Sequence, residues 1–139
     1  MTAKTLFIQL TTRGNADVID ITDRMNACVN EAGLENGIIT IFCPSSTSAL
    51  TTIEYEPGVI NDLRRLFDEI IPPNRVYAHD AAWGDGNGHS HVRAALLGAS
   101  LTVPFTHKQL TLGTWQQIIY VDFDNRPRRR ELVVQLIGE

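Results

Sequence analysis

The sequence predicts an α+β fold, a two-layer β-sandwich with about three peripheral helices, formed by residues 1–139 as a single domain. About eight segments are typical of strands and three of helices, and the strands are concentrated toward the C-terminus. Short connections join the last four strands, whereas parallel strands need long crossovers. An antiparallel C-terminal meander is therefore expected.

Periodicity predicts the elements of the first half. Residues 4–12 alternate between apolar and polar side chains, as a half-buried strand does. Thr22 is a suitable N-cap for a helix whose apolar stripe ends before Gly33. Pro57 suits the first turn of a second helix, which stops at Pro72-Pro73. The other segments typical of strands in this half are residues 18–21, 37–43 and 50–55.

The second half begins with an irregular segment and ends in strands. Residues 81–88 are too rich in glycine for a helix or a regular strand, so a surface loop is expected there. A short helix is predicted over residues 92–97. The last strand, residues 129–137, is apolar on both faces, and such a strand is covered on both sides. In a chain this short another subunit can provide the second cover. The three strands before it are predicted at residues 101–105, 109–112 and 115–123.

Composition excludes several classes of protein. The formal net charge of −4 and the isoelectric point near 5.5 argue against nucleic-acid and anionic-membrane partners. No segment approaches the roughly 20 apolar residues of a membrane span, and the N-terminus has no signal-peptide pattern. Cys28 and Cys43 fall on apolar patterns that indicate reduced core thiols. A cytoplasmic location is expected.

Basic residues cluster in the segment RPRRR at residues 126–130. Such a cluster can attract a phosphate. It can also guard an edge strand against sheet-to-sheet aggregation, and this second interpretation is favoured.

Three of the four histidines, His79, His89 and His91, lie near one another in the sequence. Imidazole is a common zinc ligand, and three imidazoles with one open position are typical of a catalytic metal site. Alternatively, Ser90 is a helix N-cap and its neighbours are ordinary first-turn residues. Positions i and i+2 point in nearly opposite directions on a helix. His89 and His91 can therefore bind one ion only if the helix begins at or after Ser90.

Under the metal interpretation, the three histidines bind a divalent ion, with zinc preferred, whose open position takes water or a phosphate oxygen. Asp80 then orients an imidazole N–H; the alternative is an Asx turn that opens the glycine-rich loop. Glu54 is a candidate general base if it faces the same pocket, and otherwise a solvated strand residue.

Ser46, Thr47 and Ser48 are candidates for binding a phosphate through hydroxyl and backbone N–H groups. Ordinary turn chemistry after Pro44 is the competing explanation. No serine has the Gly-x-Ser-x-Gly setting of a nucleophile elbow, so no nucleophile is assigned. The expected partner is a small phosphorylated substrate.

Four motifs in order make the chain similar to a known family. They are STSALT at residues 46–51, YAHD at 77–80, HVRAALLGASLTVP at 91–104 and GTWQ at 113–116. Together they resemble the YjbQ-like family, whose members are described as secondary thiamine-phosphate synthase enzymes. The resemblance covers almost the whole chain. It implies a β-sandwich with flanking helices, a homotrimer, and a metal-compatible pocket of histidines near a subunit boundary.

The chain departs from the family pattern at one position. Many members begin the first motif with His-Thr-Ser-Ala, where this chain has Ser46. The other family histidines are matched at His79 and His91, and His89 is additional. If the site uses three imidazoles, the third ligand has moved to His89; otherwise the metal site has weakened.

The resemblance also implies a reaction. A pyrimidine-methyl pyrophosphate loses pyrophosphate, and the nitrogen of a thiazole phosphate captures the reactive carbon. A nearby cation would stabilise the negative charge that develops on the leaving group. Two alternatives remain open: a metal-dependent hydrolase of phosphate esters, which needs only the three-histidine site and its water, and a non-catalytic trimer that binds a small phosphorylated ligand.

Overall fold

The chain folds into two antiparallel sheets and four helices, and the computed structural model describes residues 1–139. The elements are β1 (Thr2–Thr12), β2 (Asp17–Asp20), α1 (Thr22–Ala32), β3 (Gly37–Phe42), β4 (Ser48–Ile53), α2 (Pro57–Ile70), α3 (Ala78–Trp83), α4 (Gly88–Leu97), β5 (Ser100–Thr106), β6 (Gln109–Leu110), β7 (Gln117–Asp122) and β8 (Arg128–Gly138). The predicted α+β class is confirmed. None of the helices is long and apolar enough to cross a membrane. The five-stranded sheet has the order β1-β8-β3-β5-β6 and the three-stranded sheet has the order β2-β7-β4.

The larger core lies between the two sheets. Leu132, Val134 and Leu136 on one face of β8 are fully buried in the same cluster as Ile118 and Tyr120 of β7. Alternation along both strands directs these side chains into the space between the sheets. Helix α1 closes one side of this layer with the apolar stripe that the sequence predicts, which consists of Met25, Cys28, Val29 and Ala32.

A second core lies on the other face of the three-stranded sheet. Phe67 of α2 and Ala94 of α4 pack there against β2, β4 and β7. Both faces of β7 are therefore covered, and every residue of this strand after the first is buried. The sequence assigned such double coverage to the last strand, but within one chain the outer face of β8 is only partly covered, and Ile137 is 40% exposed.

The predicted C-terminal meander is limited to the hairpin of β5 and β6. Strand β7 joins the small sheet, and β8 lies between β1 and β3 in the large one. All of these pairings are antiparallel, as predicted. Packed sheets are only about 10 Å apart, a distance that three or four extended residues span. The short connections at residues 111–116 and 123–127 can therefore cross the sandwich instead of joining neighbours within one sheet.

The segment predicted to be a loop, residues 81–88, includes the end of one helix and the start of another. Ala78–Trp83 forms α3, which ends at Gly84 with a φ of 66°. Helix α4 begins at Gly88 rather than at Val92. Gly84 and Gly86 adopt positive φ between the two helices. These glycines therefore separate two helices, whereas the sequence interpretation took them to prevent any helix.

The basic segment at residues 126–130 does not guard a sheet edge. Strand β8 pairs with β1 from Arg128 to Gly138 and also with β3, so it is an inner strand. The edge-guard interpretation is wrong. Two of its arginines instead line a cavity at one end of the sandwich.

Candidate functional site

A cavity of about 350 Å³ opens between the β3–β4 loop, the turn that joins α3 to α4, and the start of β8. We name it the polar pocket, because its lining has no hydrophobic residue other than a proline. The loop, the α3–α4 region and the β7–β8 region each contribute to it. Its lining residues are Pro44, Ser45, Ser46, Thr47, Asp85, Asn87, His91, Asp124, Arg128 and Arg130.

Arg130 is held at the base of the polar pocket by a buried carboxylate. Its Nε and Nη2 donate to the two oxygens of Asp122 at 2.8 and 3.0 Å, and Nη2 also donates to Thr47 Oγ1 at 2.8 Å. Burial alone would lower the pKa of Arg130, but the pairing with Asp122 outweighs it and raises that pKa. Arg130 is therefore a fixed positive charge beneath the β3–β4 loop.

Asp124 extends this network along the pocket wall. It is 1% exposed, accepts a hydrogen bond from Thr47 Oγ1 at 3.0 Å and pairs with Arg128 at 3.1 Å. Burial alone would raise the pKa of Asp124, but hydrogen bonds from Arg128, Asn87 and Thr47 lower it. Arg128 Nε is buried and has no acceptor. An unpaired buried donor is rare in a folded protein. The Arg128 side chain as a whole is 34% exposed and lines the pocket, so a ligand can reach it.

The β3–β4 loop combines turn chemistry with pocket lining. The Thr47 N–H donates to Ser45 Oγ at 3.2 Å, which is the local turn that the sequence offered as one explanation. Ser46 is exposed and lines the pocket. Ser48 is buried below the loop, where it accepts a hydrogen bond of 2.6 Å from the Tyr120 hydroxyl. Ser46 and Thr47 therefore face the pocket, and Ser48 supports the loop.

Two of the three candidate histidines meet at the rim of the polar pocket. The ring centroids of His79 and His91 are 4.3 Å apart. His79 Nε2 lies 3.3 Å from Asp85 Oδ2. Desolvation would raise the pKa of Asp85, but hydrogen bonds from the Asn87 N–H and from His79 lower it. The pair of imidazoles and this carboxylate form a compact polar group at the pocket entrance.

His89 does not join this pair. Because α4 begins at Gly88, His89 and His91 are both helical and point in nearly opposite directions. His89 is 5% exposed, and its Nδ1 has no hydrogen-bond partner. Its ring lies 6.3 Å from that of Tyr77. The cluster of three imidazoles expected from the sequence is therefore not formed within one chain. This geometry also does not support the idea that His89 replaces the family histidine that is missing at Ser46.

Asp80 and Glu54 lie outside the polar pocket. Asp80 Oδ1 accepts the N–H of Gly88 at 2.9 Å, so it joins α3 to the first turn of α4 instead of orienting an imidazole. Glu54 follows the end of β4 that is remote from Ser48. At about 3.3 Å per residue it lies roughly 20 Å from the loop. Glu54 was a candidate general base only if it faced the same pocket, and within one chain it does not.

Sequence reasoning missed several pocket residues. Asp85, Asn87 and Asp124 were not candidates, and the arginines were interpreted mainly as guards of a sheet edge. One signal was available: Asp122 and Asp124 lie four and two residues before Arg126, the start of the basic segment. Carboxylates at this spacing from arginines are typical of an ion-pair network. By contrast, nothing local predicts that Asn87 Oδ1 accepts the N–H of Asn125 at 3.1 Å.

A crevice of about 320 Å³ adjoins the polar pocket and shares Ser45, Ser46 and His91 with it. We name it the alanine crevice, because small residues form most of its lining. Its mainly apolar surface leaves room for a flat organic group beside α4, while the adjoining polar pocket is suited to an anion. His91 lies at the boundary of the two. The residues found only in the crevice are Ser48, Ala94, Ala95, Gly98 and Ala99.

The fold and the site define an α+β protein of packed antiparallel sheets with a polar pocket at one end of the sandwich. The family model described as UPF0047 protein YjbQ-like matches residues 7–139, and the chain belongs to this family. A UPF0047 protein of Archaeoglobus fulgidus is 35% identical over 130 residues, which cover 94% of this chain and 98% of the relative. YugU of Bacillus subtilis, also a UPF0047 protein, is 36% identical over 137 residues, covering 97% and 98%.

Solved structures of similar proteins have the same fold. A YbjQ-like protein of unknown function from Sulfolobus solfataricus matches with a TM-score of 0.89 and 32% identity, covering 99% of this chain and 100% of that one. A hypothetical protein from Aeropyrum pernix matches with a TM-score of 0.90 and 28% identity, covering 98% and 99%. The family resemblance that the four motifs indicated is confirmed.

The buried His89 makes the stability of the protein depend on pH. Burial, followed by the positive charge of Arg93, lowers the pKa of His89 in the folded state. As the pH falls below about 6.5, the unfolded chain therefore takes up a proton that the folded chain resists, and the free energy of unfolding decreases. We expect His89→Gln to remove part of this decrease between about pH 7 and pH 5. Urea denaturation across that range measures it.

The matched control is His107→Gln, because His107 is exposed on the β5–β6 turn. This variant should keep the pH dependence of the parent protein. An unchanged pH dependence in the His89 variant would contradict a buried, neutral imidazole.

Proposed function

We propose that this protein binds a small phosphorylated compound and holds its phosphate group in the polar pocket. The observation that carries this proposal is the convergence of Arg128 and Arg130 with the hydroxyl groups of Ser45 and Ser46 in one cavity. Guanidinium and hydroxyl donors are the groups that recognise phosphate oxygens. The Arg128 side chain is 34% exposed and lines this cavity.

The carboxylates in the polar pocket do not oppose this assignment. Asp124 pairs with Arg128 at 3.1 Å and with Arg130 at 3.7 Å. Asp85 lies at the rim beside His79. Each acidic side chain therefore has a basic partner, and the Arg128 side chain is still 34% exposed. The organic part of the ligand would lie in the alanine crevice, next to the small residues of α4.

For the reaction, we propose the thiamine-phosphate synthase chemistry described for the family, in which a pyrimidine-methyl pyrophosphate reacts with a thiazole phosphate. The bond between the methylene carbon and the pyrophosphate oxygen breaks, and pyrophosphate leaves with the electron pair. The thiazole nitrogen then donates its lone pair to that carbon and forms the new C–N bond. Arg128 and Arg130 would stabilise the charge that develops on the leaving group.

The donors of one chain do not fit a complete zinc site. His79 and His91 lie close together, but His89 points away from them, and no group of three His, Cys, Asp or Glu side chains is placed to hold a metal ion. Zinc at such a site is bound by three or four protein ligands. We therefore assign charge stabilisation to the arginines and route no step through a metal.

Pyrophosphate binding tests the assignment of the polar pocket. We expect Arg128→Gln to weaken the binding of inorganic pyrophosphate at least about tenfold, because it removes a charged donor to the anion. Isothermal titration calorimetry measures the affinity. Arg129→Gln is the matched control: Arg129 is the next residue along β8, is exposed and does not line the pocket.

The control variant should bind pyrophosphate as the parent protein does. Equal affinity in both variants, or no binding by the parent protein, would refute a phosphate site in the polar pocket. The synthase step has its own readout, because product formation from the two substrates should fall with Arg128→Gln and should not change with Glu54→Gln.

A metal-dependent phosphate-ester hydrolase is the second candidate, and the approach of His79 to His91 is the observation that favours it. It requires a further ligand from another subunit. Zinc analysis of protein purified without a histidine tag tests this. One zinc per chain, lost in His91→Ala and retained in His89→Gln, would support the hydrolase. A metal-free parent protein that still binds pyrophosphate would rule it out.

We propose that the protein is a homotrimer assembled through the outer face of the five-stranded sheet. The trimer follows from the family resemblance, and the exposed apolar side chains of this face support its location. Phe7 is 57% exposed and Phe42 is 44% exposed. Both lie opposite Val133, one on either side of β8, so they form one continuous band. Contiguous apolar surface of this kind is typical of an interaction site.

Light scattering should give about three times the chain mass of 15.5 kDa. We expect Phe42→Glu to lower this mass, because a carboxylate buried at the interface is unfavourable. Leu66→Glu is the control, since Leu66 lies on α2 and is 48% exposed. A monomeric parent protein would contradict the trimer, and an unchanged mass in Phe42→Glu would contradict this interface.

The two cysteines fit a cytoplasmic location, which we also propose. Cys28 and Cys43 are free and buried. Burial raises the pKa of both thiols, which keeps them protonated and unreactive. Neither thiol is used by the proposed site.

A further inference from the structure

A separate cavity of about 280 Å³ lies between the first half of α2 and the turn that joins β1 to β2. We name it the α2 groove. It shares no residue with the polar pocket or the alanine crevice. Its lining includes two arginines and no carboxylate. On a chain with a net charge of −4, this concentration of positive charge in a concave surface is unusual.

Arg64 is oriented in the groove without being neutralised. Its Nε donates to the carbonyl oxygen of Ala16 at 3.0 Å, and its terminal nitrogens have no acceptor in the chain. The next residue, Arg65, pairs instead with Asp62 at 2.9 Å and with Glu69 at 3.9 Å. A guanidinium that is fixed by a neutral carbonyl and has no counter-charge is suited to bind an anion.

Arg13 brings a second positive charge from the facing turn. Its Nη2 is 3.5 Å from Asp17 Oδ1, which is a long contact, and its side chain is 87% exposed. The main-chain N–H of Arg13 donates to Asp17 Oδ2 at 2.9 Å. The backbone is therefore fixed, while the guanidinium is free to turn toward an anion beside Arg64.

The turn that carries these contacts is preformed. Gly14, Asn15 and Ala16 have φ values of 75°, 54° and 62°, a conformation that residues with a side chain rarely adopt. Such strain persists only where the surroundings hold the backbone. Here the Asn15 N–H donates to the carbonyl oxygen of Asp124 at 2.7 Å. The Ala16 carbonyl that positions Arg64 therefore has a fixed place.

The groove also has a flat wall and an apolar floor. The Tyr55 hydroxyl donates to the Val18 carbonyl at 3.2 Å, while 44% of the residue remains exposed. Pro57 continues this wall, and the buried side chains of Val18 and Ile60 form the floor. Aromatic faces of this kind stack with planar rings. The nearby Glu56 carboxylate caps α2 and is not part of the lining.

We propose that the α2 groove is a second binding site, specific for a small planar ring that carries a phosphate or carboxylate group. The anionic group lies between Arg13 and Arg64, and the ring lies against Tyr55 and Pro57. The amide of Asn61, which forms no hydrogen bond within the chain, faces the same space and selects for a polar atom on the ring. None of these residues takes part in the proposed phosphate site.

Two-dimensional NMR of ¹⁵N-labelled protein tests this site, with phenyl phosphate and benzoate as separate probes. We expect at least one probe to shift the amide signals of Val18, Asn61 and Arg64, and the two titrations show which anion is preferred. Arg64→Gln should weaken this binding at least about tenfold, because it removes the oriented charge. Arg65→Gln is the matched control and should bind within about twofold of the parent protein.

Arg13→Gln provides a second variant whose folding is secure, because Arg13 is highly exposed. It should weaken binding at least about threefold. Thermal unfolding shows whether each variant is folded. The proposal is overturned if neither probe shifts signals in the groove, or if shifts are confined to residues 45–47 and His91. That last pattern would support the polar pocket alone, so the two sites are judged separately.

Discussion

The buried ion pair between Asp122 and Arg130 connects the two sheets at the place where the site is built. Asp122 ends β7 in the small sheet and is fully buried, while Arg130 lies near the start of β8 in the large sheet. Thr12 Oγ1 also donates to Asp122 Oδ2 at 2.6 Å. A buried carboxylate without partners costs several kcal/mol. The β7–β8 connection, which crosses from the small sheet to the large one, therefore depends on Arg130 as the partner of Asp122.

The polar pocket is a consequence of the same network. Arg130 fixes Thr47 from below, Thr47 bonds to Asp124, and Asp124 pairs with Arg128 at the wall. The two arginines consequently differ in role. Arg130 directs Nε and Nη2 to Asp122 and Thr47 and maintains the loop, whereas the Arg128 side chain is more exposed, 34% against 15%. In the proposed phosphate site, a supporting charge that is separate from the binding charge would allow the loop to remain ordered before a ligand arrives.

Local periodicity and the four motifs were sufficient for the fold class, the family and most elements, because strand alternation and helical stripes report which face of a segment is buried. They did not reveal which sheet each strand joins, since that depends on contacts such as Arg130 with Thr47, 83 residues apart. The expected cluster of three histidines does not form, and the reason is local. Helix α4 begins at Gly88, and this start alone turns His89 into the protein and His91 toward the pocket.

The left-handed β1–β2 turn supports both cavities. On one side, the carbonyl of Ala16 orients Arg64 in the α2 groove; on the other, the N–H of Asn15 bonds to the backbone of Asp124 in the polar pocket. This turn is held in one strained conformation by contacts on both sides. It is therefore a common, well-anchored support for both cavities.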